Sequence, residues 1–186
     1  MGPAPPWQMG MNMDTPTTNK RILVSAGSKH GSTREIGEKI GGVLRELGHD
    51  VDIVDPDQVG DLDGYEAVVL GSAVYAGRWT AAAIELAHRI ADSGVPATWL
   101  FSSGPVGDPP KPEEDPVDVA AIYESTSARE HTVFAGKIDK SRLSFGERAI
   151  LVAVRAPEGD FRDWEEITAW ATRIAEQLTK ETIAHG

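Results

Sequence analysis

The stretch that most constrains this chain is Lys20 to Thr33, KRILVSAGSKHGST. A short apolar run, Ile22-Leu23-Val24, ends in a loop of small and hydroxyl residues, and an amphipathic pattern starts directly after it. The reading is strand, loop, helix. The loop lies where backbone N–H groups at a helix N-terminus can hold a phosphate. Arg21–Ser25 reads as the strand, and its continuous apolar centre suits one buried on both faces, as in a parallel sheet.

The alternation continues downstream. Ser32 to Leu47 reads as a helix, with Ile36, Ile40, Val43, Leu44 and Leu47 on one face. Ser32 and Glu35 have capping-box spacing. Gly37, Gly41 and Gly42 each cost this helix about 1 kcal/mol against alanine, a cost that close packing on the sheet would explain. Gly48 is the expected stop. Further strands are expected at Asp50–Val54, Ala67–Leu70, Ala97–Phe101 and His131–Ala135, and helices at Thr80–Ala91 and Val117–Ser127. Small-residue loops, Gly71–Trp79 and Ser102–Gly107, follow the third and fourth strands. Asp108–Pro116 is too rich in proline and acid for regular structure, and Gly136–Leu143 reads as irregular. Ser144 and Glu147 could cap a short helix over Arg148–Val154, with a strand as the competing assignment. Asp163 and Glu166 cap a last helix whose stripe is Trp164, Ile167, Trp170, Ile174 and Leu178.

Apolar strands alternating with helices imply an α/β fold with a parallel sheet, and right-handed crossovers allow it to be doubly wound. The 186 residues suffice for one domain. We place it at 20–180, between a flexible N-terminal tail (1–19) and a C-terminal tail (181–186). The absence of cysteine excludes disulfides, thiolate catalysis and Cys-ligated metal centres. A net charge of −11 argues against a nucleic-acid partner and favours basic ones. No apolar run approaches the roughly 20 residues that span a bilayer, and the N-terminus lacks the features of a secretory signal. The expected location is cytoplasmic. The five histidines are scattered singly, so no metal site is expected.

Spacing then decides the type of phosphate loop. A triphosphatase loop needs G-x-x-x-x-G-K-[ST], and a dinucleotide loop needs G-x-G-x-x-G. Gly27 and Gly31 satisfy neither. The remaining type is rich in hydroxyls. Ser28-Lys29-His30-Gly31-Ser32-Thr33 resembles the T-x-T-G-x-T loop of the flavodoxin family, which cradles the 5′-phosphate of FMN. Ser28, Gly31 and Thr33 match that pattern. His30 departs from it, standing where a hydroxyl is usual. Hydroxyl and amide donors can compensate a dianion without positive charge, and Lys29 could add one. The simpler alternative makes Ser32 only a cap and Gly31 only a turn.

The resemblance covers Lys20 to about Leu178. It implies a flavodoxin-like, doubly wound, five-stranded parallel sheet of order 2-1-3-4-5, with helices on both faces and FMN as cofactor. The loops after strands three and four fall where the family binds the isoalloxazine. The implied contacts, besides Ser28–Thr33, are Ser72, Ala73, Val74, Tyr75 and Gly77, then Ser102, Ser103, Gly104 and Gly107. Tyr75 is a stacking candidate, and Trp79 reads as packing at the loop base. No catalytic side chain is assigned.

Two stretches look like the flavodoxin-type protoporphyrinogen oxidases, which use menaquinone: Val133-Phe134-Ala135-Gly136-Lys137-Ile138, and Asp163-Trp164. Phe134 and Trp164 also have purely structural readings. From Arg129 to Arg162 seven Lys or Arg face five acids, +2 within a chain of −11. Such a region could accept propionates or anionic headgroups, or be a mixed solvated surface. Three functions stay open. One is an FMN oxidoreductase passing electrons from a reduced, porphyrinogen-like substrate to a quinone or other acceptor. The second is an FMN electron carrier docking on redox proteins. The third is a flavodoxin-like binding module without FMN. A peripheral membrane contact fits the first, and no membrane span is expected.

Overall fold

The computed structural model describes residues 19–104, 118–142, 144–153 and 158–185. The stretch Asp108–Pro116 and the candidate contact Gly107 lie outside the described residues, as do residues 1–18 of the expected tail.

The leading apolar run forms β1 (Arg21–Gly27), and the amphipathic stretch after it forms α1 (Ser32–Glu46). The chain continues through β2 (Asp50–Ile53), β3 (Ala67–Tyr75), β4 (Arg78–Trp79), α2 (Ala81–Ser93) and β5 (Thr98–Ser103). Then come α3 (Val119–Ser125), β6 (Glu130–Phe134), β7 (Lys137–Ile138), α4 (Phe145–Ala153), β8 (Gly159–Asp160) and α5 (Trp164–His185). The main sheet is parallel in the order β2-β1-β3-β5-β6, with β4 turned back antiparallel on β3. In order of the five parallel strands this is the expected 2-1-3-4-5.

Alternate strand residues feed two cores. Ile22, Val24, Val69, Trp99 and Phe101 pack with Ile36, Ile40, Trp170 and Ile174, the faces of α1 and α5. Leu23, Val68, Leu70 and Leu100 pack with Leu86, Ile90, Val119 and Ile122, the faces of α2 and α3. A strand buried on both faces cannot alternate apolar with polar, which explains the continuous runs in the sequence.

Several local expectations need correction. The third strand does not stop at Leu70 but runs on to Tyr75, and the fourth runs to Ser103. Ladder pairing with neighbours carries both through small residues of low strand propensity. Trp164 leaves the buried stripe of α5 at 38% exposure, because its ring lies under the Arg162 guanidinium, 4.5 Å away. Gly136–Leu143 is not wholly irregular, since β7 pairs antiparallel with β8. The helix assignment for the following segment holds. Asp163 caps α5 as expected, its Oδ1 accepting the N–H groups of Glu165 and Glu166.

Candidate cofactor-binding site

Parallel register brings the C-terminal strand ends into one row. Gly27 stands opposite Ser72, Ser72 opposite Ser102, and Ala73 opposite Ser103. The loops after β1, β3 and β5 therefore leave the sheet side by side, at the edge where open α/β sheets bind ligands.

The first loop is shaped by Gly31, which has φ 88° and occupies the cap position of α1. A left-handed residue here favours glycine. Its N–H donates to Ser28 Oγ at 2.9 Å, and its carbonyl accepts from the Glu35 N–H at 3.0 Å. The Ser32–Glu35 capping box is not formed. Ser32 already belongs to the helix, and the Glu35 carboxylate is drawn to Arg162 Nη1 at 2.7 Å. Ser32 Oγ is buried without a hydrogen-bond partner, and Thr33 is 2% exposed. An orphaned hydroxyl beside unbonded helix N–H groups is a donor set suited to a phosphate.

Below this loop the strand ends are sewn together. Ser72 Oγ accepts the Thr80 N–H at 2.9 Å and lies 3.2 Å from Thr80 Oγ1. A Cβ at Gly27 would overlap that Thr80 hydroxyl, so a side chain here would force Thr80 to move. Ser102 Oγ accepts from Trp79 Nε1 at 2.8 Å and sits 2.9 Å from His131 Nε2. Trp79, 4% exposed, packs at the loop base as expected. Ser72 and Ser102 are fully buried and Ser103 2% exposed. At these three positions the exit of the chain from the sheet is what reaches the site edge, and the side chains point into the fold.

The second loop is a two-residue turn. Ala76 and Gly77 have φ 49° and 75°, both positive as in the type I′ turn that joins hairpin strands. It sets Tyr75 against the loop after β1. Tyr75 Oη accepts from the Lys29 N–H at 3.2 Å, Lys29 Nζ stands 4.6 Å from the ring centroid, and the His30 ring meets it edge-on at 6.1 Å. Val74 is partly buried and Ala73 is 7% exposed. Gly104 ends the third loop's described part, its N–H donating to the Phe134 carbonyl at 3.4 Å.

Sequence reasoning missed a fourth contributor. Arg162, its side chain 3% exposed, binds Asp160 through Nε at 2.8 Å and Nη2 at 2.5 Å, and reaches the Ser32 carbonyl at 3.2 Å. Hydrogen bonding from Arg162 holds the Asp160 carboxyl below its usual range. Arg142 Nη1 donates to the His30 carbonyl at 2.9 Å. The excess of basic residues after β6 was the available signal, but it could not say which of them fold back on α1. Among the described residues no group of three or more His, Cys, Asp or Glu could hold a metal ion.

A family model for the flavodoxin domain matches residues 23–164. The chain belongs to the flavodoxin domain family. Its cofactor is accordingly FMN, and the left-handed Gly31 with the orphaned Ser32 hydroxyl fits the phosphate of that group. No curated protein matches the chain. Among solved structures it is similar to a flavodoxin from the domain Archaea, at 16% identity and TM-score 0.59, covering 85% of this chain and 98% of that one. It is similar to Flavodoxin 1 from Bacillus cereus at 14% identity and TM-score 0.57, covering 84% and 97%. It also matches the rubredoxin oxygen:oxidoreductase of Desulfovibrio gigas at 13% identity and TM-score 0.61, covering 87% of this chain but only 37% of that longer one. At these identities the structural likeness speaks for the fold alone. Among the described residues no helix is long and apolar enough to cross a membrane.

Proposed function

We propose that this flavodoxin-domain protein is an FMN-dependent electron carrier that docks on redox proteins at the C-terminal edge of its sheet. The observation that carries the reading is the alignment of Gly27, Ser72 and Ser102, which puts a phosphate loop and two small-residue loops at one edge. FMN supplies the electron-transfer chemistry when bound, and the chain supplies binding, orientation and electrostatics. Ser28, Gly31, Ser32 and Thr33 hold the phosphate through hydroxyl and N–H donors, with Lys29 and His30 beside them. Ser72–Tyr75 with Gly77, and Ser102–Gly104 with Gly107, flank the ring. Tyr75 is an aromatic side chain that meets the loop after β1, its Oη accepting the Lys29 N–H. The net charge of −11 favours basic docking partners.

A second reading is an oxidoreductase with a porphyrinogen-like donor and a quinone acceptor, as in the protoporphyrinogen oxidase type. The basic segment after β6 favours it. Two residues of the matching stretches do packing work instead. Phe134 is 1% exposed against Phe101 and Trp170, and Trp164 stacks under Arg162. Anaerobic assays separate the two readings. The carrier reading expects the reduced holo-protein to pass electrons rapidly to a basic protein acceptor such as cytochrome c, with no turnover of porphyrinogen by menadione. Porphyrin formation that needs both the protein and menadione would replace it with the second reading.

A further inference from the structure

The family's usual phosphate loop compensates its dianion with hydroxyls and backbone N–H groups, and this chain puts His30 where one hydroxyl is usual. The structure brings a cation to that place from far along the chain. Arg142 Nη1 donates to the His30 carbonyl at 2.9 Å and would stand 3.5 Å from a Cβ on Gly31. The guanidinium therefore sits on the residues that open α1.

Its position is built by the segment after β6. The Arg142 N–H donates to the Asp139 carbonyl at 3.1 Å. The Asp139 carboxylate accepts from the Ser141 N–H at 3.0 Å and from its hydroxyl at 2.5 Å, and lies 3.6 Å from Arg142 Nε. A small cavity opens between this segment and α1, lined by His30, Ser32, Glu35, Lys137, Asp139 and Arg142. Both acids in it are engaged, Asp139 by Ser141 and Glu35 by Arg162. Ser32 also lines the cavity, and its own hydroxyl is buried and without a partner. The lining thus carries two cations, Lys137 and Arg142, beside Ser32.

We propose that Arg142 is a ligand of the cofactor's phosphate, a side-chain cation added to the hydroxyl and N–H donors of the loop. A guanidinium has five N–H donors in a rigid fork, so it can serve a peptide carbonyl and a phosphate oxygen together. The proposal rests on the FMN reading and adds a charge to it. A charged ligand more than half exposed is screened by salt, whereas hydroxyl and amide donors are screened far less.

The test titrates refolded apo-protein with FMN and with riboflavin, at about 0.05 M and about 0.5 M salt, for the wild type, Arg142→Gln and Arg142→Lys. Arg142→Gln is expected to bind FMN about five- to tenfold more weakly at low salt, with the gap closing at high salt. Arg142→Lys, which keeps the charge and loses the fork, should recover part of the lost affinity, and riboflavin binding should not change. Unchanged FMN affinity in Arg142→Gln would overturn the proposal. So would an equal loss of FMN and riboflavin at both salts, which would make Arg142 only a support for the loop. A wild type that binds neither flavin would overturn the cofactor reading itself, a result visible before any variant is compared.

Discussion

Thr33, proposed to hold the phosphate, lies in the first turn of α1 with 2% of its surface exposed, and valine has nearly its shape. Replacing it removes one hydroxyl and leaves the enclosure filled. Thr33→Val is expected to weaken FMN binding by about 1–3 kcal/mol, the cost of an unmet charged acceptor. The thermal midpoint of the apo-protein should move little. Flavin fluorescence titration reads the first and a melting curve the second. An unchanged affinity would place the phosphate elsewhere. The order of strand, loop and helix around Thr33 was legible, because an apolar run, then small residues, then an amphipathic pattern is a local signal. The meeting of Tyr75 with Lys29 and His30 was not, since it depends on a turn 46 residues away in the chain.

Helix α1 joins the loop to the sheet, and its three glycines divide by what surrounds them. A Cβ on Gly37 would stand 3.2 Å from Ala26 Cβ, and one on Gly41 would stand 2.5 Å from Ile53 Cδ1. These two give the close approach to the sheet that the sequence suggested. Gly42 has open space around its missing Cβ and no such role. Gly42→Ala is therefore expected to stabilise the protein by about 0.5–1 kcal/mol without changing flavin affinity, as read by urea unfolding and titration. The capping box at the start of this helix was the clearest misreading. Ser32 and Glu35 have the spacing, but the tertiary pull of Arg162, 127 residues from Glu35, takes the carboxylate. Strand ends were misread for a related reason. A row of glycine, serine and alanine reads locally as loop, while pairing with β1 and β5 on either side keeps it in the ladder.

At the scale of the molecule, the order of the parallel strands followed from apolar runs alternating with helices, a pattern spread over most of the chain. Arg142 and Arg162 could not be placed that way, because they return to the loop before α1 and to its first residue across 112 and 130 residues. Whole-molecule stability carries its own pH signature. Burial holds the His49 imidazole below its ordinary value, with Nδ1 accepting the Lys20 N–H at 3.4 Å. The unfolded chain then binds more protons than the folded one in the interval between the two values, so stability rises with pH across it. This contribution is intact above the ordinary value of about 6.5 and is lost as pH falls toward the lowered one. The urea midpoint should fall between about pH 7 and about pH 5, and His49→Asn should make that fall shallower.

In the proposed complex the loop after β1 holds the phosphate of FMN at the edge where the three strand ends meet. Parallel titrations of the apo-protein with FMN and riboflavin test this most directly. FMN should bind with a shifted visible spectrum and an affinity on the order of a hundredfold above that of riboflavin, the difference being the phosphate. Equal affinities for the two flavins, or no spectral change with either, would contradict it.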